Sequence, residues 1–76
     1  MDMMTGRALE RQISAKRREI ARLRQDMRLR EAEMGTLIAA GGDGAAVASD
    51  LLAMRRRLAG LIVERDGLMD GLVFRS

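Results

Sequence analysis

The feature that most constrains this chain is a glycine cluster that separates two long segments with helical spacing of apolar residues. The cluster Gly41-Gly42-Asp43-Gly44 lies near the middle of the 76 residues, and proline is absent throughout. Glycine ends helices readily, and an Asp in such a loop accepts hydrogen bonds from the first amides of the following helix. The cluster therefore predicts a turn over residues 40–45, between a helix over about 5–39 and a helix over about 46–73.

On both sides of the turn, apolar residues recur at alternating steps of three and four, which is the spacing of one helix face. In the first segment this seam consists of Leu9, Ile13, Ile20, Leu23, Met27, Met34 and Leu37, with Lys16 and Arg30 at two further positions. In the second segment it consists of Val47, Leu51, Met54, Leu58, Leu61, Leu68 and Leu72, with Arg65 at one further position. No segment alternates with the period of a strand, so we expect an all-α protein.

The two seams face each other when the chain folds back at the turn. If residues whose numbers add up to 84 or 85 are paired, Leu23 faces Leu61 and Ile13 faces Leu72, and every seam position from Ile13 onward finds a seam position opposite. The three charged seam residues face apolar ones, so their stems can cover the seam while their charges reach water. The sequence predicts an antiparallel, coiled-coil-like two-helix hairpin.

The same register makes predictions about the charged residues beside the seam. It places Asp26 near Arg57 and Glu31 near Arg55, two attractive pairs, and Glu19 near Glu64, a repulsive pair. Attractive pairs predominate, which favours the register.

The second helix has an apolar strip beside its seam. The strip consists of Leu52, Ala59, Ile62, Met69 and Val73, and it is interrupted by Arg55 and Asp66. Seam and strip together form an arc wider than one partner helix covers. Two helices bury little surface, and without cysteine no disulfide can stabilise them. We therefore expect packing into a helical bundle, by oligomerisation or on a larger partner, rather than a hairpin with scattered exposed aliphatics.

Phe74 is the single aromatic residue. Flanked by aliphatic residues, it is assigned to the protein interface as an anchor that inserts into a partner. A cap over the open end of the hairpin, near Leu9 and Met4, is the alternative, and both interpretations stay open.

The side chains on which most catalysis depends are missing. Histidine, cysteine, tyrosine and tryptophan are all absent, and the three serines have no base to activate them. The glycine cluster lacks the Gly-Lys-Ser/Thr ending of a phosphate-binding loop, and neither imidazole nor thiolate is present to hold a metal. We expect no catalytic, cofactor or metal site and no small-molecule substrate.

Arginine supplies all the basic residues except Lys16, and the formal net charge is +3. A contact surface for nucleic acid or an acidic partner could consist of Arg18, Arg22, Arg28, Arg55, Arg56 and Arg57. Since no aromatic residue accompanies these arginines to stack on bases, such binding would be sequence-tolerant and salt-sensitive. The alternative is that these arginines only keep a small helical protein in solution.

The expected function is that of a non-enzymatic interaction or structural protein, with a protein partner. Its size and composition are typical of phage accessory or inhibitor proteins, and a nucleic-acid-binding module is the alternative. The beginning of the chain lacks the pattern of a secretory signal, and charged residues interrupt the most apolar stretch, 58–74. We therefore expect no membrane partner, and a cytoplasmic location or, for a phage protein, a virion-associated one.

Overall fold

A computed structural model describes the backbone of residues 2–75 and the side chains of residues 6–73. It has two helices, α1 (Asp2–Ala39) and α2 (Ala45–Arg75), which pack against each other as an antiparallel hairpin. The Cα trace extends over 59 × 15 × 13 Å, so the molecule is a thin rod. The predicted all-α helical hairpin is confirmed.

Two backbone hydrogen bonds from the glycines of the turn to the last carbonyls of the helix end α1. The amide of Gly42 donates to the carbonyl of Leu37 over 2.8 Å, and the amide of Gly41 donates to the carbonyl of Ile38 over 3.0 Å. Gly41 has a φ of 80°, in the left-handed region that residues with a Cβ rarely adopt. This residue therefore reverses the chain.

Asp43 and Gly44 begin α2. The Asp43 carboxylate accepts a hydrogen bond from the amide of Ala45 over 3.0 Å, as the sequence predicts, and the amide of Ala48 donates to the carbonyl of Gly44 over 2.9 Å. A Cβ at Gly44 would lie 3.3 Å from Cγ of Met34, so a small residue lets the two helices come close at the turn.

The first helix continues through Gly35-Thr36, a point that the sequence leaves open. The Thr36 hydroxyl donates to the carbonyl of Ala32 over 3.1 Å, and α1 ends only at Ala39. The helices extend slightly beyond the expected bounds at the open end, where α1 begins at Asp2 and α2 ends at Arg75.

The core lies along the seam between the helices. The buried side chains are all predicted seam residues: Ile13, Ile20, Leu23, Val47, Leu51 and Leu61. At the centre, Ile20, Leu23 and Leu61 form one cluster, and Met27, Met54, Leu58 and Ile62 pack against it. Each fully buried aliphatic side chain contributes about 1.5–3 kcal/mol. Contact between Leu23 and Leu61 agrees with the register expected from the sequence.

At the turn end the seam is less complete than expected. Val47 is buried, but Leu37, which the register pairs with it, is 39% exposed. Leu37 lines an open cleft on α1 together with Leu29 and Ala32. The chain leaves the helix two residues later, so α2 does not cover Leu37.

Two of the three charged seam residues, Lys16 and Arg30, form ion pairs across the hairpin, whereas Arg65 pairs with Asp66 of its own helix. Lys16 Nζ lies 2.6 Å from Glu64 Oε2, and Arg30 Nη2 lies 3.9 Å from Asp50 Oδ2. The expected pairs Asp26–Arg57 and Glu31–Arg55 are not within ion-pair distance of each other among the described side chains. Long side chains at seam positions reach about one helical turn along the opposite helix and bind carboxylates there.

Glu64 sets the protonation of Lys16. Its hydrogen bond to the ammonium group, together with its negative charge, raises the pKa of Lys16 above the ordinary value of 10.5, although partial desolvation opposes the shift. Lys16 is therefore a permanent cation at neutral pH.

Candidate protein-interaction surface

The second helix has one face that α1 does not cover. We call it the α2 strip, and it consists of Leu52, Arg55, Ala59, Ile62, Asp66, Met69 and Val73. These residues follow one another at steps of three and four, parallel to the seam. Since successive residues of a helix are about 100° apart, the strip lies roughly a quarter-turn around α2 from the seam.

Most of the apolar side chains in the α2 strip are exposed. Leu52 is 51% exposed and Met69 is 36% exposed, and Ala59 and Val73 are exposed as well. Leaving half of a leucine side chain in water forgoes roughly 1 kcal/mol of burial. Three large aliphatic side chains at helical spacing therefore form a surface whose stability increases when another apolar surface covers it.

Ile62 connects the α2 strip to the core. It is half-buried and packs against the cluster of Ile20, Leu23 and Leu61, so only part of its surface is available to a partner. The sequence places Ile62 in the apolar strip beside the seam, and in the structure its side chain lies partly in that strip and partly against the core. The side chain of Phe74, the remaining residue expected at this interface, lies outside the described residues.

The two charged residues of the α2 strip differ in their partners. Arg65 donates from Nε and Nη2 to Oδ1 of Asp66, over 3.2 and 3.1 Å, which leaves Oδ2 for another donor. Arg55 is exposed and forms no ion pair with another described residue. The strip thus presents one cation and one anion, about three helical turns apart.

Near the open end of the hairpin, the α2 strip borders a cleft between the helices. Met69 and Val73 line this cleft, together with Ile13 and the polar side chains Glu10 and Arg17 of α1. The apolar lining therefore comes mainly from α2, while α1 contributes Ile13 and the charged groups.

Near the turn, α1 has further exposed apolar side chains that the sequence analysis did not identify. Leu29, 55% exposed, lines a cleft with the exposed Leu37, whereas Ile38, 57% exposed, lies on the opposite side of the helix from Leu29. The sequence does contain a signal for this apolar end, because Asp43 is the only charged residue between Met34 and Ser49. The turn end of the rod is consequently apolar and almost uncharged.

The structure does not gather the six candidate arginines on one surface. All are exposed, but Arg55, Arg56 and Arg57 are consecutive and so spread over about 200° of α2. Arg57 and Arg22 line a cleft that also contains the carboxylates of Glu19 and Asp26. A phosphate backbone approaching that cleft would meet negative charge beside the positive charge.

Arg18 and Arg28, the other two candidate arginines of α1, do not line that cleft. Arg28 donates to Oε1 of Gln25 over 2.8 Å, within its own helix. The six candidate arginines therefore do not share one cleft of the hairpin.

The part of the chain that the structure describes contains no group of three or more acidic, histidine or cysteine residues arranged to hold a metal ion. Neither α1 nor α2, within their described residues, has a stretch long and apolar enough to cross a membrane.

Comparison with known proteins gives no family assignment, because no protein-family model, curated protein or solved structure matches this chain.

Proposed function

We propose that this chain is a non-enzymatic interaction or structural protein, and that the α2 strip is the surface through which it binds protein. The observation that carries the proposal is the uncovered apolar face of α2, where Leu52 is 51% exposed beside Ala59 and Met69. A two-helix rod without disulfides gains stability from association.

The form of the molecule supports an assembly role. A rod with extents of 59 × 15 × 13 Å has a large surface for its mass, and its clefts are shallow grooves between or beside the two helices. Chains of this size and composition are typical of phage accessory or inhibitor proteins, and we include docking on such a larger assembly in the proposal.

Nucleic-acid binding receives less support from the geometry. Arg55, Arg56 and Arg57 point to different sides of α2, and Arg57 shares its cleft with two carboxylates. A phosphate-binding surface gains affinity from cations that contact one backbone together, and this arrangement does not provide them.

Site-specific photo-crosslinking in the cells that produce the protein tests the proposal. A photoreactive amino acid replaces Leu52, in the α2 strip, or Ala53, the neighbouring exposed residue that points about 100° away. We expect a discrete crosslinked protein from position 52, of either the same chain or a larger one, and little product from position 53. Equal products at both positions, or none at position 52, would overturn the proposal.

A further inference from the structure

We propose that the partner of the α2 strip is a second copy of this chain, bound antiparallel along α2 with a two-fold axis between Gly60 and Leu61. This inference rests on the proposed function, since it names the partner of the same surface. The order of residues along the strip and their charges favour a second copy as the partner.

The α2 strip is complementary to itself when it is reversed. In the antiparallel arrangement, Leu52 faces Met69 of the second copy, and Ala59 faces Ile62 of the second copy. The flexible Met69 can adapt its shape to Leu52, and the small Ala59 leaves room for the half-buried Ile62, so the two helices can pack closely. Two-fold symmetry repeats each contact, because residue i on one chain meets residue j while j meets i.

The charged residues of the strip favour the antiparallel arrangement over the parallel one. Reversal about the same axis places Arg55 opposite Asp66 of the second copy, and the symmetric contact repeats the pair. Arg55 has no ion-pair partner among the described residues of its own chain, and Asp66 has Oδ2 available beyond its bonds to Arg65. A parallel arrangement would instead place Arg55 against Arg55 and Asp66 against Asp66, which is repulsive at both points.

The position of the axis lets the two helices overlap fully. Since α2 runs from Ala45 to Arg75, its midpoint is Gly60, within one residue of the axis that the strip requires. Two α2 helices can therefore contact each other over their whole length of about 46 Å. An axis elsewhere would leave part of the strip uncovered.

Charged residues of α1 beside the α2 strip place the two α1 helices on the outside of the dimer. On the side of the α2 strip, α1 presents Arg17 and Arg24, both exposed. These cations stay hydrated, so the dimer has the two α2 helices inside and the two α1 helices outside.

Disulfide trapping with the purified full-length chain tests the register. The protein has no cysteine, so single variants Leu52→Cys and Met69→Cys report only their own positions. The two variants are unfolded together in denaturant, refolded and mildly oxidised. We expect a mixed covalent dimer between positions 52 and 69. Each variant alone should give almost no covalent dimer, because two copies of position 52, or two copies of position 69, would lie about 25 Å apart.

Ala53→Cys mixed with Met69→Cys is the matched control, and it should not form the mixed dimer. Covalent dimers from Leu52→Cys alone would show a parallel arrangement and overturn the inference. A non-covalent dimer that never traps 52 with 69 would overturn it as well.

Charge reversal provides an independent measurement. Arg55→Asp alone, or Asp66→Arg alone, places like charges opposite each other twice per dimer and should weaken dimerisation at least about 100-fold. The double variant should restore it, with helix content followed by circular dichroism in every case. Arg56→Asp combined with Asp70→Arg, outside the strip, should leave dimerisation unchanged. Failure of the double variant to recover dimerisation would contradict the pairing.

The two proposals fail in distinguishable ways. If the purified chain is monomeric while position 52 crosslinks to a larger protein in cells, the second-copy inference is wrong and the interaction function stands. If position 52 does not crosslink in cells, the interaction function itself is wrong.

Discussion

Lys16 and Arg30 occupy positions where the apolar pattern would place an aliphatic residue, and each is half-exposed in an ion pair with the other helix. Their stems cover the seam, and their charges bind Glu64 and Asp50 at its edge. Surface ion pairs of this kind contribute little individually. Their main effect is on register, because a shift of one helix along the other separates both pairs.

Alkaline pH should destabilise the hairpin through Lys16. Glu64 raises the pKa of Lys16 in the folded state, so this contribution to stability is complete below about pH 10.5 and is lost as the pH rises through the folded value. Lys16 is the only lysine, and the chain has no tyrosine or cysteine to titrate in the same range.

Urea midpoints, measured by circular dichroism at several pH values between about 9.5 and 12, check this dependence. The midpoint of the wild type should fall over that range, and the midpoint of Lys16→Met should stay nearly constant. An equally steep fall in both proteins would show that Lys16 is not responsible.

Two glycines should respond to alanine with opposite signs. Gly41 has a φ of 80°, so Gly41→Ala should lower the free energy of unfolding by about 1–2 kcal/mol. Gly35 lies inside α1 with open space around its Cβ position, so Gly35→Ala should raise the free energy of unfolding by about 0.5–1 kcal/mol. Denaturant titration of both variants measures the difference, and destabilisation by Gly35→Ala would contradict the helix that continues to Ala39.

Within the helices, the seven-residue pattern specifies one face and leaves another exposed. The seam of α2 is covered by α1, and most of the α2 strip, a quarter-turn away, is exposed apart from the half-buried Ile62. This arrangement resembles a helix from the interior of a bundle, with contact faces on two sides.

A substitution in the core and one at an exposed position outside both faces of α2 should differ in their effect on the free energy of unfolding. Ile20 is 3% exposed, so Ile20→Val should cost about 0.5–1.5 kcal/mol of unfolding free energy. Val63, at 70% exposure, lies outside both the seam and the α2 strip, so Val63→Ala should stay within about 0.5 kcal/mol of the wild type. Thermal unfolding checks both, and comparable losses would place Val63 in a buried contact.

The hairpin and its register could be predicted from the sequence because both depend on spacing alone. Leu23 and Leu61 meet at the centre of the core because helical periodicity and one turn determine their positions. The ion pairs could not be predicted in the same way, since Lys16 reaches Glu64 through a side-chain conformation that spacing does not define.

The candidate interaction surfaces, too, could be predicted only in part from the sequence. Leu52 and Met69 are exposed beside the seam, as the helical pattern indicates. Ile62 is partly drawn into the core, and the arginine cluster divides among several sides, because consecutive residues of a helix diverge by about 100°. Proximity in sequence is a poor guide to a shared helical surface.

For the whole molecule, the modest net charge of +3 and the interleaved carboxylates limit affinity for nucleic acid. We expect that protein purified at low salt loses any bound nucleic acid between about 50 and 200 mM salt, with no stoichiometric complex remaining. Absorbance at 260 nm is a direct measurement, since the chain has neither tryptophan nor tyrosine. A complex that persists at moderate salt, and that is lost when Arg55, Arg56 and Arg57 are replaced by alanine, would favour nucleic-acid binding instead.

The mass of the purified chain as a function of concentration tests the second-copy interface most directly. Sedimentation equilibrium, recorded by interference optics because the chain has almost no absorbance at 280 nm, should give twice the chain mass of 8.4 kDa at high concentration. Substitution of Met69 by Asp should return the mass to that of one chain, and Val63→Asp should leave the dimer intact. A single-chain mass at every concentration, with full helix content, would contradict the account.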